Sequence, residues 1–112
     1  MKMGRFLTPT ATALLLMAIF GLSNCWELDI WTENRYGGDH TTLSGDSSSC
    51  RDLHGHFDNN VSSLKVKSGG VNGYLDHGCK IFALVFTEGG TYDDFSNREF
   101  NNLISSFGYG SN

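Results

Sequence analysis

Proline is nearly absent from this 112-residue chain; the single one is Pro9. Turns cannot rely on a ring-locked φ, and fourteen glycines are available for tight bends, many in the clusters YGGD, SGGVNG and TEGGTY. Basic residues are scarce as well. Beyond residue 23 there are six (Arg35, Arg51, Lys65, Lys67, Lys80, Arg98) against all twelve acids, a net charge of about −6. An acidic surface without a basic stripe argues against nucleic-acid binding, which depends on neutralising phosphates, and suits a cation-binding protein. Cysteine stops at three (Cys25, Cys50, Cys79), so at most one internal bridge forms, and the sequence does not choose the pair. The leftover thiol would either stay buried or link two chains, which leaves monomer and weak homodimer both open. No cysteine spacing suggests zinc. No phosphate-cradling loop and no supported carboxylate pair is present, and Cys50 with His54 lacks a third group, so an enzyme is not expected.

A long apolar run is missing too. The densest stretch, ATALLLMAIFGL at residues 11–22, falls short of the roughly 20 residues a bilayer span needs. With Lys2 and Arg5 before it and small residues Gly21 and Ser23 after it, residues 1–23 read as a secretory signal peptide cleaved after Ser23. The competing readings are a membrane anchor and a lipidated Cys25, the latter poorly served by Asn24. Residues 24–112 then form one secreted, extracellular domain with no membrane span, small enough to benefit from a disulfide staple.

That domain repeats itself. FDNNVSS (57–63) returns as FNNLISS (100–106), and the same 43-residue shift sets Trp31 on Tyr74, Glu33 on Asp76, Leu43 on Phe86 and Val61 on Ile104. The halves run from about 25 to 67 and from about 68 to 110. CWELDIW and VSSLKVKS alternate apolar and polar residues as half-buried strands do, whereas KIFALVFTE reads as a strand buried on both sides. Any helix should be short, with YDDFSN near residue 94 as its place. Many short strands with glycine turns imply an all-β sandwich or small barrel.

With the repeat in view, residues 25–109 resemble the βγ-crystallins. WTENRYGG looks like that family's first corner, with Trp31 followed seven residues later by Gly38. CRDL (50–53) and TEGGTYDDF, with Tyr92 and Phe95, also match, and DNNVSS and NNLISS both fit the family's calcium pattern. The second corner, YLDHGCKIF, departs from it, because Ile81 stands where the glycine is expected and Gly78 would have to make the turn.

The resemblance implies two Greek-key motifs forming a two-sheet sandwich, with two Ca2+ sites shared between the motifs. Carried over by position, one site would use Glu33, Asn59, Asn60 and Ser105, and the other Asp76, Asn102, Leu103 and Ser62. Asp58 and Asn101 would support the loops or act through water. Neutral oxygens dominate both sets, so weak binding is expected, with a dissociation constant of about 10⁻⁵ to 10⁻³ M. Asp58 stands where the second loop has Asn101, which should make its site the tighter one.

Other readings compete. The phrase also suits plain turn chemistry, and NVS at 60–62 has the form of a glycosylation acceptor. His54 and His56 lack further ligands for a transition metal. The functional expectation is a structural or binding protein, with an extracellular protein as a further partner. The alternative is a secreted effector on the same scaffold, a protease inhibitor or antimicrobial toxin, for which LSGDSSSCRDLHGH (43–56) is the loop to watch.

Overall fold

The computed structural model describes residues 25–96, 98–99 and 101–110. The expected signal peptide, Asn97 and Phe100 lie outside the described residues.

Among the described residues there are eight strands: β1 (Trp26–Glu33), β2 (Gly37–Gly45), β3 (Cys50–Asp52), β4 (Ser63–Ser68), β5 (Gly70–Tyr74), β6 (Phe82–Phe86), β7 (Thr91–Tyr92) and β8 (Ser106–Gly110). They form two antiparallel four-stranded sheets, ordered β2-β1-β4-β7 and β3-β8-β5-β6. The repeat explains this order. Each half supplies three strands to one sheet and lends its third strand, β3 or β7, to the other. The two halves therefore cannot separate without breaking both sheets.

Between the sheets lies the core. β1 alternates inward Trp26, Leu28 and Ile30 with outward Glu27 and Trp31, as a period of two requires. β4 adds Leu64 and Val66, and the opposing sheet supplies Val71, Phe86 and Phe107. The repeat partners Val61 and Ile104 are both buried. Phe86 stacks with Phe95 at 6.0 Å and meets Tyr92 edge-on at 4.9 Å; removing such a ring from a packed core costs about 3–5 kcal/mol.

Three local expectations are corrected. The KIFALVFTE strand is not buried on both sides: β6 pairs only with β5 at the sheet's edge, and Phe82 is 54% exposed. No helix forms near residue 94; Asp94 instead accepts the Ser96 N–H in a tight turn, the local alternative that Asp offers a backbone. The segment 43–56 is not one protruding loop. It is the end of β2, a turn at Asp46–Ser49, then β3 paired with β8. Among the described residues the only helical geometry is 3-10, at Asn34–Tyr36 and Gly55–Phe57. No helix among them is long and apolar enough to cross a membrane.

Cys50 and Cys79 form the one disulfide, tying β3 to the turn between β5 and β6. Cys25 remains an exposed free thiol.

Candidate functional site

The two copies of the repeated phrase lie just before β4 and β8 and fold alike. Asn59 and Asn102 both sit in the left-handed region, at φ 58° and 60°, a conformation asparagine tolerates better than most residues. That bend turns each loop toward the other half. Ser105 Oγ donates to Asn59 Oδ1 at 2.8 Å, and Ser62 Oγ donates to Asn102 Oδ1 at 3.3 Å. The first serine of each phrase thus serves the asparagine of the other.

The second serine of each phrase turns back to its own corner. Ser63 Oγ donates to the Glu33 carbonyl at 2.7 Å, and Ser106 Oγ donates to the Asp76 carbonyl at 2.5 Å. Both serines are fully buried. The sequence reading assigned them no role. Their appearance in both copies, in register, was the available signal.

These bonds regroup the expected ligands. Ser62 receives its backbone bond from β1, its N–H donating to Trp31 O at 3.0 Å, and an open cleft of about 460 Å³ gathers Glu33, Asn60, Ser62, Asn101 and Asn102. Ser105 N–H donates instead to Tyr74 O at 2.9 Å, next to the Asp76 corner. Glu33 therefore lies with Ser62 and Asn102, and Asp76 with Ser105 and Asn59. The structure thus sets Glu33 beside the serine–asparagine pair that the sequence reading grouped with Asp76, and Asp76 beside the pair grouped there with Glu33. The reason is topological: each phrase enters the strand beside its own half's first strand, so its serine shares that strand's corner.

Electrostatics separate the two clusters. Asp58, one residue before Asn59, has its Oδ2 3.1 Å from His77 Nε2, beside Asp76. That cluster holds two carboxylates. The other holds Glu33 but also Arg35, a residue that lines the same cleft. Leu103, 47% exposed, has a hydrocarbon side chain, so from this residue only the backbone carbonyl is a candidate oxygen.

Two buried oxygens at repeat-related positions, Asp58 Oδ1 and Asn101 Oδ1, have no hydrogen-bond partner. A buried polar atom left unpaired costs about 1–3 kcal/mol, and here the same orphan occurs in both loops. Among the described residues no group of three or more His, Cys, Asp or Glu side chains converges. What the loops offer is amide, hydroxyl and carbonyl oxygen with few charges, a donor set for a hard cation rather than for zinc or copper.

No protein-family model matches the chain, and no curated protein matches it. Solved structures do. A betagamma-crystallin from an archaeon is 22% identical with a TM-score of 0.63, the match covering 76% of this chain and 98% of that one. A beta gamma crystallin from Ciona intestinalis is 24% identical with a TM-score of 0.62, covering 75% and 99%. The N-terminal domain of Protein S is 16% identical with a TM-score of 0.58, covering 76% and 96%. Two sheets that exchange their third strands, matched to these domains over about three quarters of the chain, give this protein the βγ-crystallin fold.

Proposed function

We propose that the protein is a secreted, non-catalytic calcium-binding domain in which two Ca2+ ions brace the two halves against each other. The observation that carries this reading is the pair of orphaned oxygens, Asp58 Oδ1 and Asn101 Oδ1, set beside the crossed Ser105–Asn59 and Ser62–Asn102 contacts. One ion would draw on Asp58, Asn59, Ser105 and the Asp76 corner. The other would draw on Glu33, Asn60, Ser62, Asn101 and Asn102. Calcium accepts six to eight oxygens in a forgiving geometry, and each cluster mixes groups from both halves. Binding would therefore tie together segments that chain entropy would otherwise separate. The Cys50–Cys79 bridge supports the secreted reading, since disulfides persist in oxidising compartments. The role beyond calcium is structural, or binding to an extracellular partner.

Thermal melts in calcium and in chelator test this directly. At 100 times the dissociation constant an ion stabilises the fold by about 2.7 kcal/mol, which for a domain of this size raises Tm by about 10 °C or more. The Ser62→Ala, Ser105→Ala double variant should lose most of that rise. No shift in millimolar calcium would reduce the phrase to turn chemistry. The effector reading has less support. Six of the fourteen residues of segment 43–56 are paired strand, so it offers a protease only two short stretches, the turn at Asp46–Ser49 and residues 53–56.

A further inference from the structure

The two corners that present Glu33 and Asp76 are built alike but anchored differently. In the first, Tyr36 is left-handed at φ 62° and its N–H donates to Ser63 Oγ at 3.0 Å; that hydroxyl in turn donates to the Glu33 carbonyl. In the second, 43 residues on, Cys79 is left-handed at φ 56° and its N–H donates to Ser106 Oγ at 3.1 Å; that hydroxyl donates to the Asp76 carbonyl. In each corner the third residue after the acid fixes the acid's carbonyl through one buried serine.

A non-glycine residue resists left-handed backbone, so each corner residue needs a tether. Tyr36 is held by packing: its ring meets Trp31 edge-on at 5.0 Å, and Lys65 Nζ lies 4.2 Å from the ring centre. Cys79 has no ring to pack. Its tether is the covalent bond to Cys50. The repeat counterpart of Lys65 is Gly108, which pairs with Cys50 across β3 and β8. A Cβ on Gly108 would come within 3.2 Å of Cys79 Sγ. The side chain that covers the first corner is thus missing from the second, and sulfur lies where it would begin.

We propose that the Cys50–Cys79 disulfide is a redox-sensitive positioning element for the second corner, holding Cys79 and, through Ser106, the Asp76 carbonyl where a cation bound at Asn59 and Ser105 would meet it. The part that concerns a cation rests on the calcium reading above. A dithiol reductant breaks the Sγ–Sγ bond by supplying two electrons and two protons; both cysteines become thiols, and the dithiol closes to its own cyclic disulfide. Cys79 is then free to leave the left-handed region, and its N–H leaves Ser106. The first corner contains no sulfur and keeps Glu33 in place. The Gly78 N–H bond to Asp52 Oδ1 at 2.7 Å does not depend on the bridge, so the release is local.

Amide hydrogen exchange on the full, calcium-free chain, before and after complete reduction by dithiothreitol, tests the anchor without any metal. Exchange at the Cys79 N–H should quicken by at least about tenfold while the matching Tyr36 N–H changes by less than about twofold. Calorimetric calcium titration of the same samples should show one binding step weakened by about tenfold and the other held. A Cys50→Ser, Cys79→Tyr chain places a ring opposite Tyr74, as Tyr36 lies against Trp31, and should keep both properties with or without reductant. Equal response of the two amides, no response, loss of both calcium steps together, or a tyrosine variant as loose as the reduced protein would each overturn the proposal. If the oxidised protein binds no calcium, the calcium reading fails, and the exchange comparison still decides what the bridge holds.

Discussion

Ser105 donates its hydroxyl to Asn59 across 46 residues of sequence, at 2.8 Å, and in doing so makes a loop of the first half depend on the segment that leads into β8 of the second. The reciprocal contact from Ser62 to Asn102 is longer, at 3.3 Å. Neither cluster can be completed within one half, because each asparagine takes its serine from the other. Under the calcium reading proposed above, ion binding and cohesion of the halves would be one property.

Asp58 belongs with Asp76, Asn59 and Ser105, so replacing it should affect a single binding step. Asp58→Asn removes one of the two carboxylates near that ion and should weaken the step by about tenfold, leaving the other unchanged. Double-mutant cycles identify the partners. Combined with Ser105→Ala, the losses should be far from additive, whereas combined with Ser62→Ala they should add within about 0.5 kcal/mol. Calorimetric titration of the four chains reads both; equal coupling to both serines would sink the regrouping.

Arg35 lines the cleft that holds Glu33, Ser62 and Asn102, and it does so from left-handed backbone at φ 55°. Its counterpart in the second corner is Gly78, at φ 76°. Arg35→Gly removes a like charge from beside the ion and relieves an unfavourable conformation in one change. Affinity at that step should rise by about two- to fivefold in low salt, and the gain should shrink as salt screens the charge. A gain indifferent to ionic strength would assign the effect to backbone relief alone.

The fold was legible because the repeat carries its own register: Val61 and Ile104 are both core, and Trp31 and Tyr74 both stand at corners. The acid that each serine joins was not legible. Position in the phrase says which residues are equivalent, but only the strand pairing, β4 beside β1 and β8 beside β5, says which loop faces which corner. The burial of β6 failed for a similar reason. An apolar run such as FALVF looks the same at a sheet's edge as at its centre, and edge position is a property of topology. The disulfide partner was also hidden, since Cys50 and Cys79 come together only once β3 crosses to pair with β8.

Asp29 lies on β1 with 8% of its surface exposed. Burial pulls its pKa upward, but hydrogen bonds from Thr42 and His40 and the Lys67 ammonium outweigh that and hold the carboxyl below its ordinary 3.8. A carboxylate depressed in the folded state contributes stability that is complete above the unfolded value and lost as pH falls through the folded one. Asp29→Asn should therefore be less stable than the parent near neutrality, and the gap should close as pH falls below 3.8 and through the lowered folded value. Urea midpoints in chelator across that range measure it. A gap that stays constant would mean the change acts through packing rather than charge.

Gly38 sits at φ 76° in the first corner, and a Cβ there would meet Thr32 Oγ1 at 2.4 Å and Glu33 Cγ at 2.9 Å. Thr32 cannot simply swing away, because its hydroxyl accepts the Asp39 N–H at 2.9 Å. Gly38→Ala should cost about 2–3 kcal/mol, combining left-handed strain with a clash against an anchored side chain. Gly55 provides the comparison: it is left-handed at φ 61°, and a Cβ added there would meet nothing within 4 Å. Gly55→Ala should cost only about 1 kcal/mol, the backbone part by itself. Denaturant midpoints of the two variants separate the contributions. Ile81 occupies the Gly38 position in the second corner, where Gly78 and Cys79, the counterparts of Arg35 and Tyr36, are left-handed but residue 81 is not, so Ile81→Gly should bring no gain. A stabilising Ile81→Gly would show that both corners require glycine at this position and that the bridge at Cys79 only compensates for its loss.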